Sequence, residues 1–234
     1  MFARTERFYI KEFEQETNMR VCIVFDKSAS MDFSSVSLSK INYAKMLAST
    51  LAYIIMKRGD SLGFAKVASS LEEYFPDSRS MKNLSRLLDV IAGIEPSGKT
   101  DIVSSLNSVG VRLKRKSLVI LISDMLSDTA PMLRTIKNYI HRKHGVIVFQ
   151  ILDPLELTLL PGGRFMFIDK ETSDKVAIDV KKAASVYRRE FSGFLSGIEN
   201  TLKNCGAGYF LFNTSFHPED AIPAGLNKTG FSVV

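Results

Sequence analysis

Two kinds of hydrophobic pattern alternate along this chain. Near-continuous apolar runs occur at residues 21–25, 118–122 and 146–152, the form expected of strands covered on both faces. Between them lie stripes at helical spacing. Ile41, Ala44, Leu47, Ala48, Leu51 and Ile55 predict a helix that Ser39 would cap. Leu84, Leu87, Leu88 and Ile91 predict a short helix; Ile102, Leu106, Val109 and Leu113 predict another, and Leu133, Ile136 and Ile140 a fourth. Residues 61–67 and 71–75 read as two strands joined tightly, an antiparallel pair at a sheet edge. Pro161-Gly162-Gly163 opens a hairpin over 164–169 and 175–179, turning through 171–174. A last long helix is expected over 183–204 and a last strand over 209–213. Alternation of this kind predicts an α/β, doubly wound, mostly parallel sheet with helices on both faces and one antiparallel edge strand.

The chemistry gathers where the apolar runs end. The first runs straight into Asp26-Lys27-Ser28-Ala29-Ser30, and the second ends in Ser123-Asp124. In open α/β sheets, ligands bind at the C-terminal ends of strands. One carboxylate and two hydroxyls are hard oxygen donors, suited to Mg²⁺, Mn²⁺ or Ca²⁺ rather than zinc. A Ser-rich turn capping the next helix is the plainer reading of Asp-x-Ser-x-Ser. Ser97-Gly98-Lys99-Thr100-Asp101 offers a further hydroxyl, although Thr100 could simply cap the helix that follows and Asp124 could cap a turn.

Gly93-Ile94-Glu95-Pro96-Ser97-Gly98-Lys99-Thr100 also fits the phosphate-loop pattern, with Asp124 ending a Walker-B-like strand. The alternative is therefore a P-loop nucleotide-binding protein. A phosphate loop needs a strand before it, whereas residues 84–91 carry helical spacing, and Pro96 would remove one of the cradling N–H groups. It also leaves Asp26, Ser28 and Ser30 without a role.

Asp26, Ser28, Ser30, Thr100 and Asp124, in that order, resemble the metal-ion-dependent adhesion site of von Willebrand factor A domains. With Glu12-x-x-x-Glu16-Thr17-Asn18 and Leu152-Asp153-Pro154-x-Glu156, the set is similar to the bacterial family labelled domain of unknown function 58. The resemblance covers roughly residues 3–215. It implies a von Willebrand A fold with one antiparallel edge and a Mg²⁺-type ion, or Mn²⁺ or Ca²⁺, held by those five residues. It also implies a protein partner that donates a carboxylate to the metal, and association with MoxR-type AAA+ ATPases. Lys27 departs from the small or hydroxyl residue of the pattern. On this reading residues 1–18 are the remnant of a family upstream region. Residues 19–216 form the von Willebrand A-like domain with a hairpin insertion near 161–179, and 217–234 form an irregular tail. Asp153 and Glu156 matter only through the resemblance. Glu12 and Glu16 alone read as a solvated helix face.

Composition narrows the classes. A chain of 234 residues can build a sizeable core without a disulfide or structural metal. The net charge of +6 is spread over short basic clusters at expected helix ends, and only Tyr187 supplies an interleaved aromatic, so no nucleic-acid surface is expected. Cys22 and Cys205 lack metal-ligand spacing, and His141, His144 and His217 are scattered. No apolar run approaches the ~20 residues of a membrane span, and residues 1–4 show no signal-peptide core, so a cytoplasmic location is expected. Neither Ser28 nor Ser30 has a placed histidine base, and a non-enzymatic role is expected.

Overall fold

The computed structural model describes residues 19–98, 101–127, 129–158, 164–168 and 175–227, with the side chains of 164–168, 175–184 and 225–227 set aside. Six strands form the main sheet: β1 (Arg20–Asp26), β2 (Ser61–Val67), β3 (Leu71–Ser78), β4 (Leu118–Ser123), β5 (Gly145–Leu152) and β8 (Gly208–Asn213). Their order is β3-β2-β1-β4-β5-β8. All neighbours run parallel except β2 and β3, so the edge pair is antiparallel, as its short connection requires. β6 (Arg164–Ile168) and β7 (Lys175–Asp179) pair antiparallel in a separate ribbon. Its expected turn at 171–174 and the preceding Pro161-Gly162-Gly163 lie outside the described residues.

The unbroken apolar runs are explained by burial on both faces. Alternate residues of one strand feed opposite cores, because strand side chains have a period of two. Val21, Ile23 and Phe25 of β1 face one way, with Ile120 and Ile122 of β4, against helices α1 (Lys40–Lys57) and α2 (Met81–Ala92). Cys22 and Val24, with Val119 and Leu121, face the other way, against α3 (Ile102–Arg112), α4 (Thr129–His141) and α6 (Val180–Asn204). Burial pushes the Cys22 thiol up to about 12, which makes it an inert core residue.

α2 occupies the position where a phosphate loop would need its strand. The P-loop alternative built on Gly93–Thr100 and Asp124 therefore lacks its structural context. The expected irregular tail is also corrected: Pro218–Asn227 forms a helix, α7, whose Ile222 packs into the α1 side of the core. Pro218 stands at its first residue, where a missing N–H costs nothing, and Pro223 lies inside it. A five-residue helix, α5 (Pro154–Thr158), follows β5. It is too short for periodicity to reveal it.

Candidate metal centre

From β1 the chain continues to β2 on one side of the sheet, and from β4 to β5 on the other. The C-terminal ends of β1 and β4 thus flank the point where strand order reverses, the usual ligand crevice of an open α/β sheet. Asp26 and Ser123 end these two strands.

Asp26 is fully buried with both carboxylate oxygens engaged. The Ser28 N–H donates to Oδ1 at 2.9 Å and the Ser123 hydroxyl donates to Oδ2 at 2.7 Å. Ser123 Oγ in turn accepts the Met125 N–H at 3.1 Å. Burial above all, and then the charge of Asp124, push the Asp26 carboxyl up to about 6 against the bonds that Ser123 and Ser28 supply. A carboxylate in this state is one that a nearby cation would stabilise. A 3₁₀ turn at Ala29–Asp32 follows, and it brings Ser28 Oγ within 3.2 Å of Ser30 Oγ.

Asp124 closes the other side. Its Oδ1 accepts the Leu126 N–H at 3.2 Å, and its backbone carbonyl accepts Gln150 Nε2 at 2.7 Å. Buried Met125 has φ +54°, a left-handed backbone that non-glycine residues adopt at a cost, and such strain concentrates at ligand-binding loops.

The loop before α3 is laced to the first strand's end. The Ser97 N–H donates to the Lys27 carbonyl at 2.9 Å, and the Ala29 N–H donates to the Gly98 carbonyl at 3.0 Å. The Asp101 N–H donates to the Ala68 carbonyl at 3.1 Å. Lys99 and Thr100 lie outside the described residues, between these two anchored positions. The cap of α3 is Asp101, whose carboxylate accepts the Ser104 N–H at 2.9 Å. The capping role considered for Thr100 is therefore filled by its neighbour. The ammonium of Lys27 meets Ser97 Oγ at 2.6 Å and Glu72 at 3.1 Å, so its charge is taken up within the protein.

Several site neighbours escaped the sequence reading or were carried by resemblance alone. Lys40, the first residue of α1, is fully buried and bonds Asp124 Oδ2 at 2.8 Å and Glu156 Oε1 at 2.5 Å. Burial opposes its charge, but Asp124 and Glu156 raise the ammonium above the ordinary lysine value. Glu156 Oε2 accepts the Asp153 N–H at 2.8 Å. Burial raises the Glu156 carboxyl despite Lys40. Asp153, also buried, accepts from both the N–H and the hydroxyl of Ser35. The Glu156 carbonyl accepts the Tyr187 hydroxyl of α6 at 2.7 Å.

Among the described residues, no group of three or more His, Cys, Asp or Glu is placed to hold a metal. An ion at this rim would lean on hydroxyls and water. The serine pair fits that demand: neighbouring oxygens around octahedral Mg²⁺ stand about 2.9 Å apart, and the larger Ca²⁺ spreads them further. The 3.2 Å separation of Ser28 and Ser30 falls in that span.

The strand order, the single antiparallel edge and the loops at the switch point define an α/β domain of the von Willebrand A type. Solved structures agree. The SpRpn10 VWA domain superposes with a TM-score of 0.58 at 10% identity, covering 92% of this chain and 98% of that one. An aerotolerance-related membrane protein from Bacteroides fragilis NCTC 9343 superposes with a TM-score of 0.61 at 18% identity, covering 90% and 99%. The chain belongs to the family described as Protein of unknown function DUF58, whose profile matches residues 1–194. It is 22% identical over 211 residues to the uncharacterized protein Rv1480 of Mycobacterium tuberculosis (strain ATCC 25618 / H37Rv), covering 88% of this chain. The chain spans 65% of the length of the curated relatives it matches.

Proposed function

We propose that this chain is a cation-dependent protein-recognition module. Ser28 and Ser30 would hold a Mg²⁺-type ion directly, with Asp26, Thr100 and Asp124 acting directly or through water. The observation that carries this reading is the serine pair at 3.2 Å, beside buried Asp26 at the end of β1, with buried Asp124 just after the neighbouring β4. When bound, the ion supplies an electrophilic position that a carboxylate oxygen from another protein can complete. The carboxylates of Asp26 and Asp124 are already bonded by the protein, so they serve chiefly to hold the rim in place and lend negative charge.

The position of His144 removes one candidate base for a serine at the rim. His144 Nδ1 accepts the Ser117 N–H at 3.3 Å, beside the start of β4 and β5, at the opposite end of the sheet from Ser28. It can serve no serine at the rim. Among the described residues no helix is long and apolar enough to cross a membrane.

The family resemblance suggests the partner: a MoxR-type AAA+ ATPase, which the module would help to assemble in the cytoplasm. Binding of such an ATPase from the same organism, measured by interferometry in Mg²⁺ and again in EDTA, tests the proposal. The expected result is loss of binding in chelator and in Asp26→Ala. Undiminished binding in both would exclude metal-bridged recognition.

A further inference from the structure

Among the described residues, the buried ammonium of Lys40 opposes a metal ion at the rim. It is fully buried, and it contacts Asp124 Oδ2, leaving that carboxylate's other oxygen on the Leu126 N–H. It stands at the N-terminus of an 18-residue helix, where the dipole is also positive. A cation in that place is costly, and it is held by the two carboxylates and by the Phe33 ring 5.9 Å away. Lys40 thus withdraws Asp124 from direct coordination and cancels one of the negative charges that would attract a divalent ion.

We propose that Lys40 is an affinity-setting residue, an internal counter-cation that keeps divalent-ion binding weak until a partner's carboxylate adds the missing negative charge. This inference rests on the metal-site reading above. Lys40 is a positioning residue here, acting through Asp124. Weak retention by the free protein would follow from charge: Lys40 shares its positive charge between Asp124 and Glu156, so Asp124 offers an ion less than a free carboxylate would. Glu156 holds the ammonium in place from α5, and the Ser35–Asp153 bonds fix the start of that helix.

The test is Mn²⁺ titration, followed by calorimetry and by the electron paramagnetic resonance of the free ion. Lys40→Met combined with Glu156→Gln removes the ammonium together with the second carboxylate it neutralises. Lys40→Gln alone keeps an amide that can donate to Asp124, and it guards against a double variant that does not fold. In folded Lys40→Gln, Mn²⁺ should bind roughly tenfold more tightly than in the wild type, the scale of one unit charge removed near the ion. The double variant, which leaves the net charge unchanged but frees Asp124, should also bind more tightly, by a smaller factor. A purely structural lysine would give the opposite sign, because its loss would loosen Asp124 and weaken binding. If the wild type binds Mn²⁺ and folded variants bind it equally or more weakly, the role of Lys40 is overturned while the metal site stands. If neither wild type nor variants bind Mn²⁺, the metal reading falls and the role of Lys40 falls with it.

Discussion

Gly98 has φ +82° and gives its carbonyl to the Ala29 N–H, in the middle of the loop of residues 26–30. A side chain is disfavoured by that backbone, whatever space surrounds it. The glycine that completes a phosphate-loop pattern in the sequence is therefore explained by a left-handed turn that ties two rim loops together. Gly98→Ala should cost about 1 kcal/mol of stability in urea unfolding and weaken Mn²⁺ binding as well. A silent substitution would contradict the tie. At this scale the sequence was informative about what a strand delivers: Asp26, Ser28 and Asp124 follow apolar runs directly. It was uninformative about Lys40, whose partners are 84 and 116 residues away. The sole local sign was a lysine at the start of a helix, where the dipole opposes it.

Elements were legible wherever a period had room to repeat. The six sheet strands and the helices α1 to α4 and α6 carry faces that match their two cores. The edge pair was legible because its short connection permits only antiparallel pairing. α5 has too few residues for a period, and α7 was hidden by Pro218, Pro223 and Gly225, which read as breakers until Ile222 is seen to dock on the core. Capping also had to be read from coordinates, since Thr100 and Asp101 are both good caps in sequence. Asp101 has the role, with its bond to Ser104. Asp101→Ala should therefore cost about 1 kcal/mol in thermal or urea unfolding and leave Mn²⁺ affinity unchanged. A loss of Mn²⁺ binding with unchanged stability would instead place Asp101 among the ion's ligands.

On the scale of the molecule, two hydrophobic cores clamp one six-stranded sheet, and the order of its strands puts the reversal point beside Asp26 and Asp124. The fold needs no ion for its stability, because the rim carboxylates are already satisfied by Ser28, Ser123, Leu126 and Lys40. On the proposed reading an ion would serve recognition, so stability and binding can be separated in experiment. The most direct measurement is a Mn²⁺ titration of the wild type and of Ser28→Ala/Ser30→Ala, followed by electron paramagnetic resonance, with thermal unfolding of both proteins in EDTA. One Mn²⁺ should bind per wild-type chain, the double variant should lose at least about tenfold in affinity for want of two of the six or so oxygen ligands, and the two unfolding curves in EDTA should coincide closely. Equal Mn²⁺ binding by both proteins, or none by the wild type and by the Lys40 variants alike, would contradict a metal centre at this rim.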